Sequence, residues 1–138
     1  MEYKYMDFGE YIKTLRKSRG LTGQQVADYL DVVKSYISAI ENKIKAPFDE
    51  EKMILFAESL NLTEEETALL YDLASKYNGN VPHDIRGIFM HEPVGELART
   101  ALRLSKSSQK TEAKWKRLIR ELQEENDILD DSEGGDES

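Results

Sequence analysis

The sequence predicts an all-α protein. Apolar residues recur three and four positions apart in segment after segment, the spacing of a single buried helical face. Residues that cap helices stand ahead of those segments, and no stretch alternates with period two for long enough to make a strand.

Phe8, Ile12 and Leu15 place a first helix over about residues 7–19, and Gly20 ends it by taking a left-handed backbone. Thr22 and Gln25 form a capping-box pair for a second helix, whose inward residues are Val26, Ala27 and Leu30. A third helix covers about residues 34–42 with Ile37 and Ile40 inward, and Pro47 bars its continuation. Asp49 caps a fourth, with Met53, Ile54, Ala57 and Leu60 as its apolar face. Thr63 and Glu66 repeat the capping box ahead of a fifth, striped by Leu69, Leu70, Leu73, Ala74 and Tyr77. Asn78-Gly79-Asn80 is a turn signal. A short helix fits residues 83–90, Pro93 opens another through Leu104, and a last one spans about 111–129. The end of the chain is acidic without an apolar anchor and is expected to be disordered. The chain thus divides into residues 1–78, 79–129 and 130–138.

At 138 residues the chain can bury a real core. No apolar run reaches the length of a membrane span, and the first eight residues lack an apolar export core. Cysteine is absent, which excludes disulfides and thiolate metal sites and makes a reducing cytoplasm the simplest address. The net charge of −8 argues against DNA as a partner until its distribution is considered. Residues 1–46 hold eight Lys and Arg against six Asp and Glu, a net of +2, while residues 47–92 and 93–138 net −7 and −3. Distant charges are screened beyond about 10 Å at ordinary salt, so the local sign matters most to a phosphate.

The positive third contains LTGQQVADYLDVVKSYISAIENKIKAP, residues 21–47, which reads as a helix, a tight turn and a second helix. Such a pair presents its second helix to the DNA major groove. The outward positions of that helix are Lys34, Ser35, Tyr36, Ser38, Ala39, Asn42 and Lys43. Ser35 suits a base edge, Tyr36 a sugar or thymine methyl, and Lys34 a guanine or a phosphate, with Ser38 a further nucleic-acid-binding candidate. Asn42, Lys43 and Lys45 are placed for backbone phosphates, as are Thr22 and Gln24 at the start of the preceding helix.

On LRKSRGLT (15–22), QQVADYL (24–30), SYISAIEN (35–42) and Lys45-Ala46-Pro47, the chain resembles the phage-repressor-like (Cro/CI, or Xre) helix-turn-helix family. The likeness covers roughly the first 75 residues. It implies a five-helix repressor-like DNA-binding bundle, here with additional C-terminal helices, an operator in double-stranded DNA as partner, and a dimeric repressor. Four positions depart from the family pattern. Asp31 stands for the turn glycine, Val33 for a capping Ser or Thr, Gly23 for a phosphate-touching Gln, and Ala39 for a long polar base reader.

In the last helix Trp115, Ile119, Leu122, Asn126 and Leu129 are spaced four, three, four and three apart, a short heptad seam with one polar core position. The seam either docks on the chain's own bundle or makes a dimer or partner contact. His83 and His91 lack metal-ligand spacing, and nothing resembles a phosphate loop or a nucleophile elbow. No metal, no cofactor and no enzymatic activity are therefore expected. The sequence reads as a cytoplasmic, sequence-specific transcriptional regulator, a homodimer that represses by occluding its operator. The alternative is a protein-binding module, such as an antitoxin, that holds a partner protein through residues 80–129.

Overall fold

The computed structural model describes residue 3 and residues 6–135, with side chains described through 127. The described residues contain no strand; the helices are α1 (Phe8–Ser18), α2 (Gly23–Leu30), α3 (Lys34–Glu41), α4 (Glu50–Ser59), α5 (Glu64–Asn78), α6 (His83–Met90), α7 (Val94–Ser105) and α8 (Thr111–Gly135). They fall into two compact units, one running through Met90 and one beginning at His91. The sequence places this division after residue 78; it comes later because α6 packs against α5 and joins the first unit.

Local rules account for the helix ends. Asp7, Thr22, Asp49 and Thr63 each accept a hydrogen bond from a first-turn N–H, and both expected capping boxes are formed. Gly20 and Gly79 take left-handed backbone at φ 67° and 69° after α1 and α5. Helix α8 continues to Gly135, whereas the sequence reading ends it near Leu129 and leaves 130–138 disordered. An established helix adds one hydrogen bond for each residue it orders, so the lack of an apolar anchor does not by itself stop it. Residues 136–138 lie outside the described residues.

The core of the first unit gathers Phe8, Tyr11, Ile12 and Leu15 of α1 with Val26, Ala27 and Leu30 of α2 and Ile37 and Ile40 of α3. Phe48 lies between them and α4, with ring centroids 5.4 Å from Phe8 and 5.5 Å from Phe56. Two stripes differ from expectation. On α4 the buried residues are Met53 and Phe56, followed by Leu60 just past its end, and Ile54 is 43% exposed. Met53, Phe56 and Leu60 follow one another at three and four, a stripe that leaves Ile54 on the flank. On α5, Leu70, Tyr71, Leu73 and Ala74 are buried, while Tyr77 is exposed at the rim of a depression beside Phe8 and Pro47.

Two charged forks and one close approach fix α1 against its neighbours. Arg16 donates to Glu41 from Nε at 2.8 Å and Nη2 at 3.0 Å, and from Nη1 to the Leu21 carbonyl at 2.9 Å. Arg19 grips Glu66 at 2.7 and 3.0 Å, and the Tyr11 hydroxyl donates to the Glu66 carbonyl at 2.9 Å. Burial pushes that hydroxyl up to about 12. At Gly9 the backbones of α1 and α3 meet. A Cβ there would collide with the Ile40 carbonyl oxygen and stand 3.0 Å from that of Glu41.

Replacing Gly9 with Ala should therefore destabilise the fold. The gain in helix propensity is about 1 kcal/mol, and overpacking against backbone costs roughly 1–3 kcal/mol. A lower urea midpoint is the expected result. A second prediction concerns pH. The hydrogen bond from Arg19 holds the Glu66 carboxyl below its ordinary value of 4.5, to which it returns on unfolding. The fork's stabilisation is thus complete above that value and is lost as pH falls through the lower folded value. The stability difference between the wild type and Glu66→Gln should shrink between about pH 7 and about pH 3, followed by urea unfolding.

Candidate nucleic-acid interface

The turn between α2 and α3 is built on Asp31, at φ 56° and ψ 47°. Asp tolerates this region better than most residues with a Cβ, so it fills the place of a glycine. Its N–H bonds back to Ala27 and Asp28, and that of Val32 reaches the Ala27 carbonyl at 2.9 Å. Helix α3 then starts from Val33 in extended backbone, with no side-chain cap.

Lys34, Ser35, Ser38, Ala39 and Asn42 line one open depression along α3 together with Ile44. All but Ala39 are exposed, and Ala39 is half-buried. The face therefore offers one cation, two hydroxyls, an amide and apolar carbon within three turns. That inventory suits hydrogen bonds to base edges and contact with a thymine methyl. Ile44 is 78% exposed, and Val33, just ahead of α3, is 68% exposed. Sequence reasoning passed over Ile44, although an isoleucine between Lys43 and Lys45 outside any helical stripe was a readable signal of exposed apolar surface.

The start of α2 lies beside this face. Thr22 and Gln25 satisfy each other's backbone N–H at 2.8 and 3.1 Å, leaving the N–H groups of Gly23 and Gln24 directed out of the helix end. Gln24 reaches Asp28 Oδ1 at 2.9 Å. The Lys34 stem passes Gly23, where an added Cβ would stand 3.9 Å from Lys34 Cγ and Cε. A cation and a helix N-terminus thus face the same solvent, an arrangement that attracts a phosphate.

Two of the expected contacts sit differently. Tyr36 is half-buried: its ring packs against Phe48 with centroids 6.3 Å apart, and Lys45 Nζ stands 5.5 Å from the ring centre. Tyr36 precedes Ile40 by four residues and so shares its inward edge, which the outward assignment overlooked. Lys43 takes left-handed backbone at φ 65° after α3, and its ammonium turns back to α1. There it lies 2.7 Å from both Asp7 Oδ2 and Glu10 Oε1. The bonds to Asp7 and Glu10 raise the Lys43 ammonium strongly; burial would raise the Asp7 carboxyl, but the bond and charge of Lys43 together with the Glu10 and Gly9 N–H groups outweigh it and hold that carboxyl below its ordinary value. Two carboxylates neutralise this lysine where a phosphate contact was expected.

A helix-turn-helix family model matches residues 12–66, from the middle of α1 to the first turn of α5. This segment belongs to the Cro/CI (Xre) type of helix-turn-helix domain. It is a DNA-binding, regulator-type domain, and α2 and α3 are its paired helices. No curated protein and no solved structure matches the chain. Among the described residues, no helix is long and apolar enough to cross a membrane.

In the second unit, Trp115 is half-buried beside a hollow that it lines with Ala101, Leu104 and Leu118. Ile119 and Leu122 are 52% and 50% exposed, Asn126 is exposed, and Leu129 falls outside the described side chains.

The uncapped start of α3 yields a prediction. Val33→Thr keeps the side-chain shape and supplies a hydroxyl to a first-turn N–H, a gain of about 1 kcal/mol. A higher urea midpoint with an unchanged slope is the expected result.

Proposed function

We propose that the protein is a sequence-specific transcriptional regulator that binds operator DNA as a homodimer in the cytoplasm and represses by occlusion, without catalytic activity. The observation that carries this reading is the open face of α3, with Lys34, Ser35, Ser38 and Asn42 exposed beside the α2 N-terminus. In this reading Ser35 and Ser38 face base edges, and Asn42 at the end of α3 faces a backbone phosphate. Lys34 and the N–H groups of Gly23 and Gln24 hold one phosphate, and Lys45 holds another. Tyr36 sets the position of Lys45 beneath the backbone rather than reading a base. Two copies would span half-sites about 34 Å apart.

A second reading draws on the exposed apolar residues of α7 and α8. In it, residues 80–129 hold a different protein, as an antitoxin does, and DNA binding serves to regulate that pair.

Selection from a pool of randomised duplexes tests the proposal. A palindromic consensus with half-sites about 10 base pairs apart is the expected outcome; retention of no sequence over the starting pool would overturn it. On the selected duplex, Lys34→Ala and Lys45→Ala should each reduce the slope of log affinity against log salt by about 1.8 for the bound dimer, about 0.9 for each copy. Lys43→Ala should leave the slope unchanged, because Asp7 and Glu10 already hold that charge. Ser38→Ala should relax preference at one base pair, a change of roughly 1–3 kcal/mol if the contact is good.

A further inference from the structure

Among the described residues, every buried apolar side chain belongs to residues 8–74. The second unit therefore presents amphipathic helices without a core of its own. On α7, Leu97, Leu102 and Leu104 are 67%, 46% and 69% exposed; on α8, Leu118, Ile119 and Leu122 are 42%, 52% and 50% exposed. Exposed apolar side chains in this number on two neighbouring helices point to an interaction site.

The charges of α8 identify what covers it. Residues 110–120 carry five Lys and Arg against Glu112 alone, and residues 121–127 carry four Asp and Glu with no base. This order opposes the helix dipole, which favours acids near the N-terminus and bases near the C-terminus. Two intrahelical pairs, Lys116–Glu112 at 2.9 Å and Arg117–Glu121 at 3.1 Å, are exposed and offset little of it. An isolated α8 is thus charged against its own backbone. A second α8 running the opposite way sets each basic half against an acidic half and also opposes the two dipoles.

The apolar seam selects the same alignment. Trp115, Ile119, Leu122 and Asn126 are symmetric about a point between Arg120 and Glu121, where the charge changes sign. In an antiparallel pair centred there, Ile119 meets Leu122 of the second copy, and Trp115 meets Asn126. Pairing in the same direction would stack basic half on basic half and acidic on acidic. We propose that α8 is the self-association surface of this protein, pairing antiparallel with α8 of a second copy about the Arg120–Glu121 midpoint, with the α7 leucines enlarging the apolar area. This deepens the dimeric part of the reading above and is independent of its DNA part.

The absence of cysteine permits a direct test on the full chain without DNA. Sedimentation of the wild type should show a dimer, and the double variant Ile119→Asp/Leu122→Asp should weaken self-association at least tenfold while the helical circular dichroism of the first unit persists. A monomeric wild type at tens of micromolar would overturn the proposal. So would a double variant that remains fully dimeric, which would leave copies pairing through another surface and the dimeric regulator intact. For direction, Lys116→Cys mixed with Gln123→Cys should form a disulfide between the two variants under mild oxidation. Asn126→Cys alone should not cross-link, because its two copies would stand about 16 Å apart along the helices, and a disulfide spans Cα atoms less than about 7 Å apart. Self-cross-linking at position 126 would overturn the antiparallel arrangement. Loss of duplex binding with these results unchanged would count against the DNA reading alone.

Discussion

The fork between Arg16 and Glu41 is the constraint on which the presentation of α3 depends. Helix α3 has eight residues and no side-chain cap, too little to persist on its own. Its place is set from outside. Ile37 and Ile40 anchor one face in the core, Gly9 lets the α1 backbone touch its last turn, and Arg16 holds its terminal carboxylate while also bonding the Leu21 carbonyl. The guanidinium thus ties together the end of α3, the α1–α2 connection and α1 itself. The side chains are 14% and 8% exposed, so each charge relies on the other for solvation lost on folding. Such a pair adds less to net stability than to uniqueness: any other rotation of α3 about its apolar face would leave a shielded charge without its partner.

What could be read from the sequence was local, and what could not was tertiary. Capping boxes at Thr22 and Thr63 operate over three residues, and both are formed. The left-handed turn at Asp31 follows from the chemistry of one side chain. Ile37 and Ile40 declared the inner face of α3. By contrast, Phe48 sits in a connection with no periodicity to betray it, and only the convergence of Phe8, Tyr36 and Phe56 buries it. Once Phe48 is placed, Tyr36 turns inward and Phe56 displaces Ile54 from the α4 stripe. Lys43 follows the same logic. Its partners are more than thirty residues earlier, and spacing within one helix cannot reveal them.

At the interface the same division holds. The helix pair, its turn and the exposed Lys34, Ser35, Ser38 and Asn42 were legible, because surface positions of a short helix follow once its buried face is known. The proximity of Lys34 to Gly23 was not, since it depends on the crossing of α2 and α3. That proximity changes the meaning of a departure from the family pattern. A glycine at 23 brings no side chain of its own to the helix end, and the stem of Lys34 passes beside it from α3.

The acidity of the chain belongs to this picture. Glu50 and Glu51 occupy the first turn of α4, and Glu64, Glu65 and Glu66 that of α5, where the helix dipole favours negative charge. Those carboxylates are explained by the helices that carry them, and Glu66 is further neutralised by Arg19. The acids of α8 have no such explanation, because they gather in the half of the helix where the dipole repels them. Such a distribution is unfavourable within one helix and would be favourable between two identical helices running antiparallel, as the proposed pairing has them. The acids of the first unit thus gather largely at helix starts, and those of α8 are the ones that the proposed pairing would account for. Neither placement requires negative charge along the outer face of α3, where Lys34, Ser35, Ser38 and Asn42 stand without a carboxylate among them.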